Sequence, residues 1–124
     1  MIQGCDASIL LDAEAFRGNS EVISGKNFGI RKRETIQYIK DILEAECPGQ
    51  VSCADIIALA AKESVAVSGG PNIQIPLGRV DSTTCSLQAA DTHLPPPDIT
   101  VDELLNIFMS KGLNLEESVA IMGN

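Results

Sequence analysis

Apolar residues fall on every side of the stretch Cys53–Val67, where Ala54, Ile56, Ile57, Leu59, Ala60, Ala61, Val65, Ala66 and Val67 leave no continuous polar stripe. A helix laid on a surface would show one polar face, so the pattern predicts a central helix wrapped by others. Ser52 and Asp55, three apart at its start, form a capping-box variant in which a hydroxyl and a carboxylate each satisfy a free amide. Gly69, Gly70 and Pro71 stop it, because glycine accepts the left-handed turn after a helix and proline cannot continue one.

The remaining elements follow from the same kind of pattern. Residues 30–46 place Ile36, Ile39 and Leu43 on one stripe with Ile42 beside it, a one-faced helix ended by Cys47, Pro48 and Gly49. Five residues separate Cys47 from Cys53, so the two helices are expected to be neighbours. Residues 13–29 collect glycine, serine and asparagine without periodicity and read as a surface loop holding Glu21 and Asn27. Ile73, Ile75 and Leu77 alternate with Asn72, Gln74 and Pro76, an extended segment that proline keeps out of a sheet interior. Residues 82–97 read as loop, with the sole histidine, His93, ahead of Leu94 and three stiff, helix-averse prolines. Thr100 and Glu103 form a capping box ahead of Val101, Leu104, Leu105 and Phe108, and Gly112 closes that helix; Asn114 with Glu117 opens another over 115–122. The expected class is mainly α, with little or no sheet, in one domain.

Charge narrows the partners. Nine basic against seventeen acidic residues give a net charge of −8, which repels nucleic-acid backbones and anionic membranes. No apolar run approaches the roughly 20 residues of a membrane span, and the first twelve residues lack the pattern of a signal peptide. Cys5, Cys47, Cys53 and Cys85 show no zinc spacing; they allow two disulfides in three pairings, or four buried thiols. Asp6 and Ser8, two apart in a loop, suit either a hard cation or a turn. Asp55 and Arg79 are charged residues among apolar ones, and if buried they must pair. His93 is the only imidazole, there is no nucleophile elbow and no phosphate-binding glycine loop, so the residues by themselves describe an acidic helical domain.

Five blocks change that picture. GCDASILLD from Gly4, VSCADIIALAAKESVAVSGGP from Val51, IPLGRVDS from Ile75, HLPPP from His93 and KGLNLEESVAIMGN from Lys111 together resemble the class III plant haem peroxidases, in order and spacing over nearly the whole chain. The resemblance implies a partial haem-peroxidase fold, most of the distal domain. It also implies haem b and Ca²⁺ as the family's cofactors, peroxide and small phenolic donors as substrates, and an extracellular (cell-wall) or vacuolar location. By position it assigns the carbonyls of Ile2 and Gly4 and the side chains of Asp6 and Ser8 to a distal Ca²⁺, with Glu21 in its outer shell. Asn27 matches the support of a distal histidine, and Asp55 with Arg79 a buried ion pair. Pro95 matches a carbonyl near the reducing substrate, and Pro96, Pro97, Phe108 and Met122 line the haem cavity.

The departures are as informative. In the family the distal histidine and arginine lie just ahead of the position of Gly4, where only Met1, Ile2 and Gln3 stand here, and the proximal histidine follows the position of Asn124. Residues 1–124 are therefore expected to be an incomplete haem peroxidase domain, an internal fragment that contains no catalytic residue, binds neither cofactor tightly and is inactive alone. Cys5, Cys47 and Cys53 match half-cystines whose partners fall outside the chain, and Cys85 has no counterpart. The alternative expectation is a non-catalytic helical fragment acting as an interaction module or a weak calcium-binding module.

Overall fold

The computed structural model describes residues 4–122. Five α-helices, α1 (Arg33–Glu46), α2 (Cys53–Val67), α3 (Leu87–His93), α4 (Val101–Met109) and α5 (Leu115–Met122), follow three short 3-10 turns at Ser8–Leu10, Glu21–Ile23 and Gly25–Asn27. No strand occurs among the described residues, and the segment around Ile73–Leu77 has no regular secondary structure. The chain divides into two compact units, Met1–His93 and Leu94–Asn124.

The first unit is built on α1 and α2, which pack together as the short Cys47–Cys53 connection requires. Lys32 adopts a left-handed conformation (φ 60°) at the start of α1, so the helix begins at Arg33 and not at Ile30. Ile36, Ile39 and Leu43 are half-buried while Ile42 is exposed, as a one-sided stripe should be. Lys40 binds the Val51 carbonyl and the Glu44 carboxylate, and Glu44 also accepts from the Gly49 amide, so the α1–α2 turn is tied from one side.

The start of α2 is capped more heavily than its sequence suggests. Ser52 Oγ accepts from the Asp55 amide at 3.1 Å, half of the expected box. The other half is absent, because the Asp55 carboxylate turns away to residues 78 and 79. Asp81 takes its place: its two oxygens accept from the amides of Cys53 (2.8 Å) and Ala54 (2.9 Å). A carboxylate here meets free amides and the positive end of the helix dipole together. The expectation of an enclosed helix needs correction. Ala54, Asp55 and Ile56 are buried, but Ala61, Val65 and Val67 are exposed, so only the first turns are covered.

The region 82–97 also departs from the predicted loop. Ser86 Oγ accepts from the Ala89 amide, giving α3 a start signal before the prolines begin, and Leu87, Ala89 and Ala90 are compatible with a helix. His93 is the last residue of that helix, exposed, with Nδ1 2.8 Å from the Ala89 carbonyl.

In the second unit the Thr100–Glu103 capping box forms in both directions. Asn114 and Glu117 exchange the equivalent pair of bonds at 2.8 and 2.9 Å at the start of α5. Gly112, at φ 88°, makes the turn between them while the Phe108 carbonyl accepts from Leu113. Val101, Met109, Leu115, Val119, Ile121 and Met122 remain exposed.

Replacing Asp81 with alanine leaves two amides of α2 without an acceptor and should lower the unfolding free energy by about 1–2 kcal/mol. Urea denaturation followed by helix ellipticity checks this; an unchanged midpoint would show that Asp81 is not a cap in solution.

Candidate functional site

Two clusters in the first unit gather the charged and polar residues. The first is the Asp55 junction. Asp55 is buried on the covered turn of α2, and its oxygens accept from the Gly78 amide (2.7 Å), the Arg79 amide (3.3 Å) and Arg79 Nη1 (2.9 Å). Gly78 sits at φ 106°, a conformation L side chains rarely adopt, which turns its amide onto the carboxylate. The Gly78 amide is the main cause that holds the Asp55 carboxyl below the ordinary range; burial opposes it and the Arg79 guanidinium reinforces it. Asp55 in turn raises the guanidinium's hold on its proton, and the Cys5 thiol lies against the same group. Arg79 also donates to the Pro76 carbonyl at 2.6 Å.

The second cluster surrounds an open cavity of about 230 Å³, lined by Gly4, Asp6, Ser8, Glu21, Ala54 and Ile57 among others. The Asp6 carboxylate accepts from the Ser8 amide at 3.1 Å, a local turn enforced by the left-handed Ala7 (φ 57°) between them. Ser8 is buried, and its hydroxyl donates to Glu21 Oε2 at 3.1 Å. Glu21 Oε1 accepts from the Ser86 amide at 3.3 Å, and the Glu21 carbonyl accepts from Asn27 Nδ2 at 2.9 Å. That bond fixes which way the Asn27 amide faces. Its Oδ1 has no hydrogen bond among the described residues and is presented as an acceptor.

Hard oxygens from Asp6, Ser8 and Glu21 fit a Ca²⁺ or similar cation in type. They do not make a finished cage: the described residues contain no group of three or more His, Cys, Asp or Glu side chains placed to hold a metal. Ile2, one of the expected carbonyl ligands, lies outside the described residues. Cys53 and Cys85 are no ready nucleophiles either. All four are free; burial pushes the thiols of Cys53 and Cys85 upward, with the nearby charges of Asp81 and Glu21 adding to it.

In the second unit, Pro95 is half-buried and Pro96 and Pro97 are exposed, the Pro96 carbonyl accepting from Ile99. Phe108 is half-buried on α4 and Met122 is exposed at the end of α5. Sequence reasoning missed Asp81, Asn19, Ser86 and Asp91. Asn19 donates to the Cys85 carbonyl, and Asp91 accepts from Ser24 Oγ at 2.5 Å. The Asp81–Ala54, Ser86–Glu21, Asn19–Cys85 and Asp91–Ser24 pairs lie 27, 65, 66 and 67 positions apart, and no local spacing encodes such pairs.

A sequence profile described as peroxidase matches residues 1–124. Peroxidase 29 of Arabidopsis thaliana is 55% identical over 123 residues, 98% of this chain and 36% of that protein. Peroxidase 9 of Arabidopsis thaliana is 50% identical over 123 residues (98% and 35%), and Peroxidase 4 of Vitis vinifera 45% over 123 residues (98% and 38%). The chain thus spans little more than a third of the length of the curated relatives it matches.

A carboxylate whose native pKa is depressed contributes stability above its unfolded value and loses it as pH falls through the native one. Stability should therefore drop on acidification below the ordinary Asp range. In Asp55→Asn the neutral-pH stability should be lower and this acid slope shallower, the remainder belonging in part to Glu44 and Glu103, whose carboxyls are also held low by Lys40 and Thr100. Denaturation midpoints from pH 7 to 2 test this; an identical slope in the variant would remove Asp55 from the account.

Proposed function

Because the chain belongs to the peroxidase family, we propose that it builds the distal-side frame of a haem peroxidase that reduces hydrogen peroxide at the expense of small phenolic donors, in the plant cell wall or vacuole. The observation that carries this reading is Asn27. Its amide is clamped by the Glu21 carbonyl with the oxygen left over, the arrangement needed to accept a hydrogen bond from the far N–H of an imidazole and keep the other nitrogen basic.

In the intact enzyme the haem supplies the electron transfer between peroxide and donor. The residues of this stretch bind, orient and brace. Asp6 and Ser8, with the carbonyls of Gly4 and Ile2, would hold Ca²⁺, and Glu21 would stand in its outer shell. One side-chain carboxylate and neutral oxygens make a weak site, so retention of the ion depends on further ligands. Asp55 and Arg79 lock the start of α2. The Pro95 carbonyl would meet the phenolic donor, and Pro96, Pro97, Phe108 and Met122 would contribute apolar wall to the haem cavity.

None of these groups moves the peroxide proton or ligates iron. The sole imidazole, His93, is exposed at the end of α3 with one nitrogen against a backbone carbonyl. The stretch by itself is accordingly inactive, and whatever activity the protein has requires a distal base and an axial ligand from elsewhere.

Substituting this stretch for the matching third of Peroxidase 29 tests the reading. The chimera should bind haem with a sharp Soret band and oxidise guaiacol with peroxide. Within it, Asn27→Val should cut kcat/KM for peroxide by about 10–100-fold, the usual cost of losing a partner that orients an imidazole. A folded chimera that binds haem yet is indifferent to Asn27→Val would refute the role given to Asn27; a folded one without haem would refute the frame itself.

A further inference from the structure

Asn27 sits in a turn whose seating is decided by Ser24. The Ser24 amide donates to the Glu21 carbonyl at 3.1 Å, the same oxygen that accepts from Asn27 Nδ2 at 2.9 Å. The Ser24 carbonyl accepts from the Asn27 amide at 2.9 Å, and Ser24 Oγ caps the turn by accepting from the Lys26 amide at 3.2 Å. Ser24 thus ends the turn Glu21–Ile23 and begins the turn Gly25–Asn27, and it is only 2% exposed. Its hydroxyl donates to Asp91 Oδ1 on α3 at 2.5 Å, 67 positions along the chain.

We propose that Asp91 is a positioning residue for Asn27: through the Ser24 hydroxyl its carboxylate sets where the Asn27 amide stands, and so how squarely the Asn27 oxygen meets an imidazole. The inference rests on the role given to Asn27 above.

A buried hydroxyl has one proton, and leaving it without an acceptor is costly. With Asp91 as acceptor the proton points to α3 and a lone pair is left for the Lys26 amide, so one rotamer serves both bonds. An O–H···O bond of this length to a carboxylate is charge-assisted and about twice as strong as a neutral one. Without the carboxylate the hydroxyl must turn to another acceptor and give up its cap on Lys26, so the turn that carries Asn27 loosens at its first residue. Asp91 reaches the same turn a second time, its carbonyl accepting from Lys26 Nζ at 2.6 Å. That acceptor belongs to the backbone, so a side-chain variant at Asp91 removes the Ser24 bond alone.

Amide exchange of the isotopically labelled 124-residue chain, followed by NMR, reads the seating directly. Asp91→Ala should speed exchange at the Lys26 and Asn27 amides about five- to tenfold, the worth of one hydrogen bond, and leave the Ala54 amide, held by Asp81, unchanged. Asp91→Asn, which keeps an acceptor oxygen, should stay near the parent rate, and Ser24→Ala should reproduce the loss from the other end of the bond. In the haem-loaded chimera described above, Asp91→Ala should lower kcat/KM for peroxide about 3- to 10-fold, less than the loss of Asn27 itself, with the value for guaiacol unchanged. In the Asn27→Val background it should lower it no further, because the two residues act through one oxygen. Unchanged exchange at Lys26 and Asn27 in both Asp91→Ala and Ser24→Ala would overturn the proposal, as would a peroxide loss that adds to that of Asn27→Val. A loss with Asn27→Val and none with Asp91→Ala would overturn the inference and spare the reading of Asn27; indifference to both would overturn both.

Discussion

The Asp55 carboxylate is the constraint on which the first unit depends. It sits on the covered turn of α2, and a buried charge there is tolerable only if its oxygens are satisfied. Gly78 and Arg79 satisfy them, and in doing so bring the chain back across the start of the helix. Two residues later Asp81 reaches the first amides of the same helix, and one further on the Ser82 amide donates to the Asp6 carbonyl at 2.7 Å. A single returning segment thus fixes the helix start and the cavity loop together. No buried side-chain polar atom among the described residues lacks a partner, although the buried apolar set is only Ala54, Ile56, Cys85 and Ala90. This is a polar frame with a thin core.

That imbalance between frame and core leaves apolar surface open. Large apolar side chains stand exposed on both units, Phe28, Tyr38 and Val67 in the first and Met109, Leu115 and Ile121 in the second. The relatives are nearly three times as long, and the sequence is shared with them over 98% of this chain. Apolar faces that a chain's own elements leave open are surfaces suited to further packing. The polar junctions, by contrast, close within the segment, which is why the positions of Asp55, Glu21 and Asn27 are defined here.

Most of the helical content was legible because it is written locally. The capping box at Thr100 and Glu103, the Asn114–Glu117 exchange and the stripe of Ile36, Ile39 and Leu43 each lie within a few residues, and each is present. α3 was hidden by the prolines that follow it, although its cap, Ser86, stands in the sequence. The site was legible only as residue types. Asp6 and Ser8 signal a turn or an ion equally well, and the structure shows the turn contact directly. The long-range partners, Asp81 for α2 and Ser86 for Glu21, have no periodicity to betray them. The family resemblance supplied roles for Asn27 and Glu21 that spacing could not, and geometry added the clamp that orients Asn27.

The central claim is that this stretch positions chemistry and does not perform it. Titrating the purified 124-residue chain with hemin, and following the Soret region while peroxide and guaiacol are supplied, tests it most directly. Broad, non-stoichiometric absorbance without turnover is the result expected of a frame that lacks an iron ligand. A sharp one-to-one band accompanied by saturable guaiacol oxidation would contradict it.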